Sequence, residues 1–161
     1  MQMKKENQPQ FQEHNEIKGL LEKALVRLYD EDVALFQLNA HEQALVFRFG
    51  LYFQELINSS RFKELTLDME YNKHGENKKI LPSRLKGIRP DIILHEREND
   101  ENNILAIEFK KFETTNFESD YEKLKELTNP NGDYKYKLGV FIQLKLLRHE
   151  MIYFINGVNY G

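Results

Sequence analysis

A mixed α/β fold, a β-sheet flanked by helices, is what this 161-residue sequence predicts. Three observations lead there. Segments of helical and of strand periodicity alternate in the order helix, helix, strand, strand, strand, helix, strand, strand, which builds a sheet covered in part on both faces. The runs Ile92-Ile93-Leu94 and Ile104 to Ile107 are apolar throughout, as central strands are. The length is that of one domain with an adequate core.

The first helix is expected over residues 16–29, where Ile17, Leu20, Leu21, Ala24, Leu25 and Leu28 recur at i, i+3, i+4 and i+7. Before it, residues 1–14 read as a flexible polar tail, and 15–161 as a single domain. The tail has two lysines but no apolar run after them, so it is not expected to be a signal peptide or an anchor. A second helix is predicted over 40–58, striped by Leu45, Phe49, Tyr52 and Leu56, with Asn39 as its N-cap. Residues 64–71 alternate strictly and form a strand, with Leu65, Leu67, Met69 and Tyr71 on one face and Thr66, Asp68 and Glu70 on the other. Residues 72–89 hold Gly75, Pro82 and Gly87 without sustained periodicity and read as a long loop. Two apolar strands around a polar turn near Asp100 come next. A third helix over 116–128 should carry Tyr121, Leu124 and Leu127 inward, with Thr115 and Glu118 spaced as a capping box and Pro130 past its end. Leu138 to Leu144 and Met151 to Ile155 close the chain as strands, joined through Arg148-His149-Glu150.

Composition removes several classes of function. With 40% hydrophobic and 30% charged residues the chain is an ordinary globular protein and not a disordered one. No cysteine is present, which excludes disulfides, thiolate catalysis and cysteine-ligated zinc and fits a cytoplasmic setting. Neither a Gly-x-Gly-x-x-Gly turn nor a Walker loop occurs. His41-Glu42 begins like a zincin motif, but Leu45 stands where the second histidine belongs. No serine lies in a Gly-x-Ser-x-Gly elbow. His95 shares the Asp91 side of its strand by parity, and a lone strand histidine is more often structural than catalytic.

The polar residues inside the central strands are the exception to this plain pattern. Side chains alternate along a strand, so Glu108 and Lys110 share a face with Ile104 and Ala106. With the turn centred near Asp100, antiparallel pairing puts Asp91 opposite about residue 109, beside Glu108 or Lys110. Two carboxylates about 4 Å apart repel by roughly 4 kcal/mol at an effective dielectric near 20, and one lysine offsets that only in part. A divalent cation offsets it better, and oxygen donors suit Mg²⁺ or Mn²⁺. The bland alternative is a salt-bridge ladder in which Lys110 pairs with Glu108 while Asp91 caps a turn after Pro90, worth about 0–1 kcal/mol per exposed pair.

Pro90-Asp91, sixteen intervening residues and then Glu108-Phe109-Lys110 resemble the Pro-Asp, (Asp/Glu)-x-Lys signature of the restriction-endonuclease-like, or PD-(D/E)XK, nuclease superfamily. The resemblance implies an αβββαβ core running from the second helix onward, with an extra N-terminal helix and C-terminal strand. It implies that Asp91 and Glu108 hold Mg²⁺ or Mn²⁺ and that Lys110 positions or helps activate the attacking water. Glu42 is the candidate third ligand by resemblance, although the capping-box position N3 explains it as well. Glu70 could reach the same site or stand on a solvated edge. Gln143 stands where superfamily glutamines sometimes orient substrate.

Lys78, Lys79, Arg84, Lys86 and Arg89 put five positive charges in twelve residues with no acid among them, just before Asp91. Beside the carboxylates they read as a nucleic-acid-binding segment, for DNA ahead of RNA, although a basic run alone is usually a solvated loop. The net charge of −3 adds no global attraction. The expected function is metal-dependent hydrolysis of phosphodiester bonds, or a catalytically silent scaffold on the same fold. No membrane contact is expected, and the final apolar strand offers an edge along which a homodimer could pair.

Overall fold

The computed structural model describes residues 8–71, 73–74, 77–78 and 88–160. Helix α1 covers Gln8–Glu31, beginning earlier than its apolar stripe. Residues 8–14, expected to be tail, are helical, because a helix can extend beyond its apolar stripe. Residues 1–7 lie outside the described residues. A short helix α2, Val33–Gln37, follows unannounced, since five residues are too few to show a period. Helix α3 spans Glu42–Asn58 and buries Leu45, Val46, Phe49, Tyr52, Phe53 and Ile57. Its N-cap is His41 and not Asn39, which takes a left-handed φ of 51° in the preceding turn. Glu42 is therefore the first helical residue, so the capping-box reading of that side chain fails.

Six strands form one sheet in the order β1-β4-β5-β6-β7-β8. These are β1 (Thr66–Met69), β4 (Ile92–His95), β5 (Leu105–Lys111), β6 (Leu138–Leu144), β7 (His149–Ile155) and β8 (Val158–Tyr160). Neighbours are antiparallel except β5 and β6, which run parallel because helix α4, Glu118–Leu127, carries the chain back across the sheet. Within the segment expected to be a loop, β2 (Lys73–His74) and β3 (Asn77–Lys78) pair as a separate ribbon too short to leave a periodic trace. Strand β8 was not foreseen either. The Asn156-Gly157 dipeptide, both residues at positive φ (54° and 76°), makes the two-residue hairpin turn that returns the chain, so β7 is not the sheet edge.

The sheet separates two apolar layers by strand parity. Ile92, Leu94, Leu105, Ile107, Phe109, Leu138, Val140 and Ile142 pack against Ile17, Leu21, Leu25 and Leu28 of α1 and Phe49, Phe53 and Ile57 of α3. On the other face Ile93, Ala106, Phe141 and Phe154 pack against Leu124 and Leu127 of α4. The α4 capping box is absent: Phe117 is the N-cap, and Asn116 Oδ1 accepts the Glu118 N–H. At the far edge, Asp68 takes His95 Nε2 at 2.8 Å and Arg97 Nη2 at 2.6 Å, which gives His95 a structural role. None of the described helices is long and apolar enough to cross a membrane.

How closely α4 approaches depends on Gly139. A Cβ at this position would sit 3.0 Å from Thr128 Cγ2, 3.2 Å from Phe154 Cβ and 3.4 Å from Leu124 Cδ2. Gly139→Ala should overpack this layer and lower unfolding free energy by about 1–3 kcal/mol, read as a lower urea midpoint at unchanged slope. An unshifted midpoint would mean that α4 has room to spare.

Candidate functional site

The β4/β5 register builds the site. Ile92 pairs with Ile107, Ile93 with Ala106 and Leu94 with Leu105, so Asp91 continues the ladder opposite Glu108. This is one residue from the position expected, because the turn is centred slightly before Asp100. The consequence for parity is the one that matters: Asp91, Glu108 and Lys110 lie on the α4 face with Ile93 and Ala106. Asp91 Oδ2 accepts the Phe109 backbone N–H at 2.7 Å, which fixes the aspartate against β5.

Helix α4 completes the arrangement with two residues that sequence reasoning did not select. Lys123 Nζ donates to Glu108 Oε1 at 2.8 Å and stands 3.9 Å from Asp120 Oδ1. Lys110 Nζ lies 3.5 Å from Asp120 Oδ2. The expected ladder pairing of Lys110 with Glu108 is thus replaced by two longer-range pairs. Asp120 is buried with Leu124 and Leu127 at i, i+4 and i+7, a spacing visible in the sequence, but a carboxylate and a lysine within such a stripe read as its solvated side.

Glu108 is 2% exposed. Burial, reinforced by the Asp91 carboxylate, pushes its carboxyl up to about 8 against the pull of Lys123. Burial likewise raises Asp91, opposed in part by the Phe109 N–H and by Lys123 and Lys110. Both carboxyls are thus held above their ordinary range as a coupled pair, Glu108 despite its ion pair with Lys123. Burial works to lower the Lys110 ammonium, but Asp120, Glu42, Asp91 and Glu108 outweigh it and leave it raised. Two adjoining carboxyl groups and two ammonium groups make a centre able to hold a cation or to exchange a proton. Among the described residues no three His, Asp or Glu side chains converge as a ready ligand set.

Beside the pair lies a cleft of about 210 Å³ lined by Glu42, Gln43, Val46, Met69, Glu70 and Asp91. Glu42 Oε2 accepts the Lys111 N–H at 3.0 Å, while Lys111 Nζ reaches Asn39 Oδ1 at 2.6 Å and the Ala40 carbonyl at 2.7 Å. The start of α3 is thereby clamped to the end of β5. Burial raises the Glu42 carboxyl, and the Lys111 N–H offsets part of that. Glu70, at the end of β1 with a φ of 50°, donates its N–H to the Asp91 carbonyl and lines the cleft, its carboxylate 3.9 Å from Arg89. Glu42 and Glu70 thus join Asp91 in one cleft. Gln143 pairs with Lys110 across β5 and β6 and shares the face of Phe141; its amide donates to the Thr114 carbonyl at 3.3 Å.

Of the basic residues, Arg89 is exposed beside this cleft and Lys78 belongs to the β2/β3 ribbon. Lys79, Arg84 and Lys86 lie outside the described residues. No family model matches the chain, nor does any curated protein. One solved structure, described as the crystal structure of SSO0001, aligns at 13% identity and a TM-score of 0.40. The alignment covers 86% of this chain and 63% of that one, a likeness too slight to carry an argument.

The raised carboxyls fix a pH dependence. A carboxyl whose folded value exceeds its unfolded one binds more protons in the folded state, so stability falls as pH rises between the two values. For Glu108 that window runs from 4.5 to about 8, and the raised Asp91 and Glu42 act in the same sense. Burial lowers the His14 imidazole, which acts in the opposite sense up to its ordinary 6.5. In chelator-containing buffer the thermal midpoint should therefore drop between about pH 6.5 and 8, and Glu108→Gln should flatten that slope. Equal slopes in variant and wild type would assign the effect elsewhere.

Proposed function

We propose that this protein is a metal-dependent nuclease that hydrolyses phosphodiester bonds of nucleic acid, DNA ahead of RNA, on a restriction-endonuclease-like fold. The observation that carries the reading is the meeting of Asp91 and Glu108, side by side on one face of adjacent strands with Lys110 two residues further on. The strand order supports it: from α3, three antiparallel strands β1, β4 and β5 lead through α4 to the parallel β6, which is an αβββαβ path with the β2/β3 ribbon inserted.

Mg²⁺ or Mn²⁺ fits this donor set, because burial raises both carboxyls of the pair, and a divalent ion between two adjoining oxygen donors would offset their charge. Asp91 and Glu108 would hold it, with Glu42 or Glu70, which line the same cleft as Asp91, as further oxygen donors. Bound there, the ion would lower the pKa of a coordinated water and offset charge building on the phosphate. The chain's own residues supply the remainder. Lys110, part-exposed and held by Asp120, orients the attacking water or the phosphate. Arg89 beside the cleft, with Lys78, Lys79, Arg84 and Lys86 close before it in sequence, would draw the phosphate backbone, which makes binding fall steeply between about 50 and 200 mM salt. A second copy paired along β8, where Val158 and Tyr160 are exposed, would bring two such sites to one duplex.

One observation favours a second reading, a catalytically silent module that binds nucleic acid or protein: both site lysines are already engaged by carboxylates, Lys123 by Glu108 and Lys110 by Asp120. Calorimetry with Mn²⁺ followed by cleavage of labelled DNA and RNA separates the two. The nuclease reading expects measurable heat that Asp91→Ala abolishes, and cleavage that Lys110→Ala reduces roughly 100-fold or more while metal binding persists. Absence of heat and of cleavage at millimolar metal would leave the silent module.

A further inference from the structure

The lysine nearest the carboxylate pair is not the one in the Glu-x-Lys signature. Lys123 reaches Glu108 from α4, on the helix that packs over the site face, and its side chain is only 12% exposed. It has two carboxylates within reach. Glu108 Oε1 lies at 2.8 Å and Asp120 Oδ1, one helical turn back, at 3.9 Å. The other oxygen of Asp120 faces Lys110 at 3.5 Å, which leaves Oδ1 open to Lys123. Leu124 and Leu127, both fully buried, hold α4 in place, so movement of Lys123 between the two carboxylates is a change of side-chain torsion and not of the helix.

Resting on the reading of Asp91 and Glu108 as metal ligands, we infer that Lys123 is a resident counter-ion for Glu108, displaced onto Asp120 when a divalent cation binds. A buried glutamate without a positive neighbour is costly, so a site that is emptied and refilled needs a substitute for the ion. An ammonium group and a divalent cation cannot share one carboxylate oxygen without strong repulsion. Lys123 must therefore withdraw, and Asp120 receives it without exposing either charge unpaired. Asp120 acts through Lys123 and is a positioning residue.

The test uses calorimetric titration of the whole chain with Mn²⁺ at fixed pH, alongside thermal melting without metal. Removing the ammonium by Lys123→Met should tighten Mn²⁺ binding about tenfold or more, since the competing charge is gone. The same variant should melt lower without metal and regain the difference at saturating Mn²⁺. Lys123→Arg, which keeps the charge, should return affinity to the wild-type range. Asp120→Asn should weaken Mn²⁺ binding, and should do so less in the Lys123→Met background, because the two residues act together. If Lys123→Met does not fold, Lys123→Gln makes the same comparison. Folded Lys123 variants that bind Mn²⁺ no more tightly than wild type, while Asp91→Ala still abolishes binding, would overturn the counter-ion role and leave the metal site standing. Failure of both wild type and Lys123 variants to bind Mn²⁺ would remove the metal site and the counter-ion role together.

Discussion

Everything at the site follows from the pairing of β4 with β5. Ile93 opposite Ala106 fixes which side chains face α4, and the same alternation brings Asp91 alongside Glu108. A slip of one residue between these strands would turn every side chain of the moved strand to the other face. The burial of both strands forbids it, because Ile92 and Leu94 would lose the α1/α3 layer and Asp91 would enter it. One polar tie adds to the apolar lock, since Asp91 Oδ2 accepts the Phe109 N–H of β5, while the Asp91 carbonyl accepts the Glu70 N–H on the β1 side. The register that fills the core is the register that assembles the carboxylates.

Charge at the centre runs as a chain in which signs alternate after the first pair. Asp91 adjoins Glu108, Glu108 meets Lys123, Lys123 neighbours Asp120 and Asp120 meets Lys110. Three acids and two bases are desolvated together, and the raised carboxyls show that the bases do not fully compensate. Buried ion pairs of this kind seldom add stability over apolar packing, so the α4 face contributes less than the larger layer beneath α1 and α3. That layer supports the site from below, with Phe109 packed edge-on against Phe49, their ring centroids 5.0 Å apart.

Much of this was legible in the residues, for reasons that differ by element. The central strands announced themselves because a strand buried on both faces is apolar throughout, and the paired carboxylates stood out against that background. The start of α3 differs from what its spacing suggests. Asn39 and Glu42 have the spacing of a helix cap, yet both side chains are committed to Lys111 on a strand far along the chain. Local spacing cannot distinguish a cap from a clamp whose partner is distant. Lys123 and Asp120 escaped notice for the same reason, since their value depends on what α4 is laid against. The β7/β8 turn is different: Asn156-Gly157 is a strong hairpin signal in its own right, but the strand after it is three residues long and polar in the middle, too little to show a period.

The lone parallel pairing has a consequence for how the molecule comes together. Hairpins such as β4/β5 and β7/β8 close over short stretches of chain, whereas the parallel β5/β6 pairing spans the whole α4 crossover. Helix α4 packs over the face of Glu108 and also carries Lys123. Dehydration of the glutamate and arrival of its lysine are thus a single event, delivered by one helix, and the nascent chain is spared an intermediate that carries the acid sealed away from water and alone.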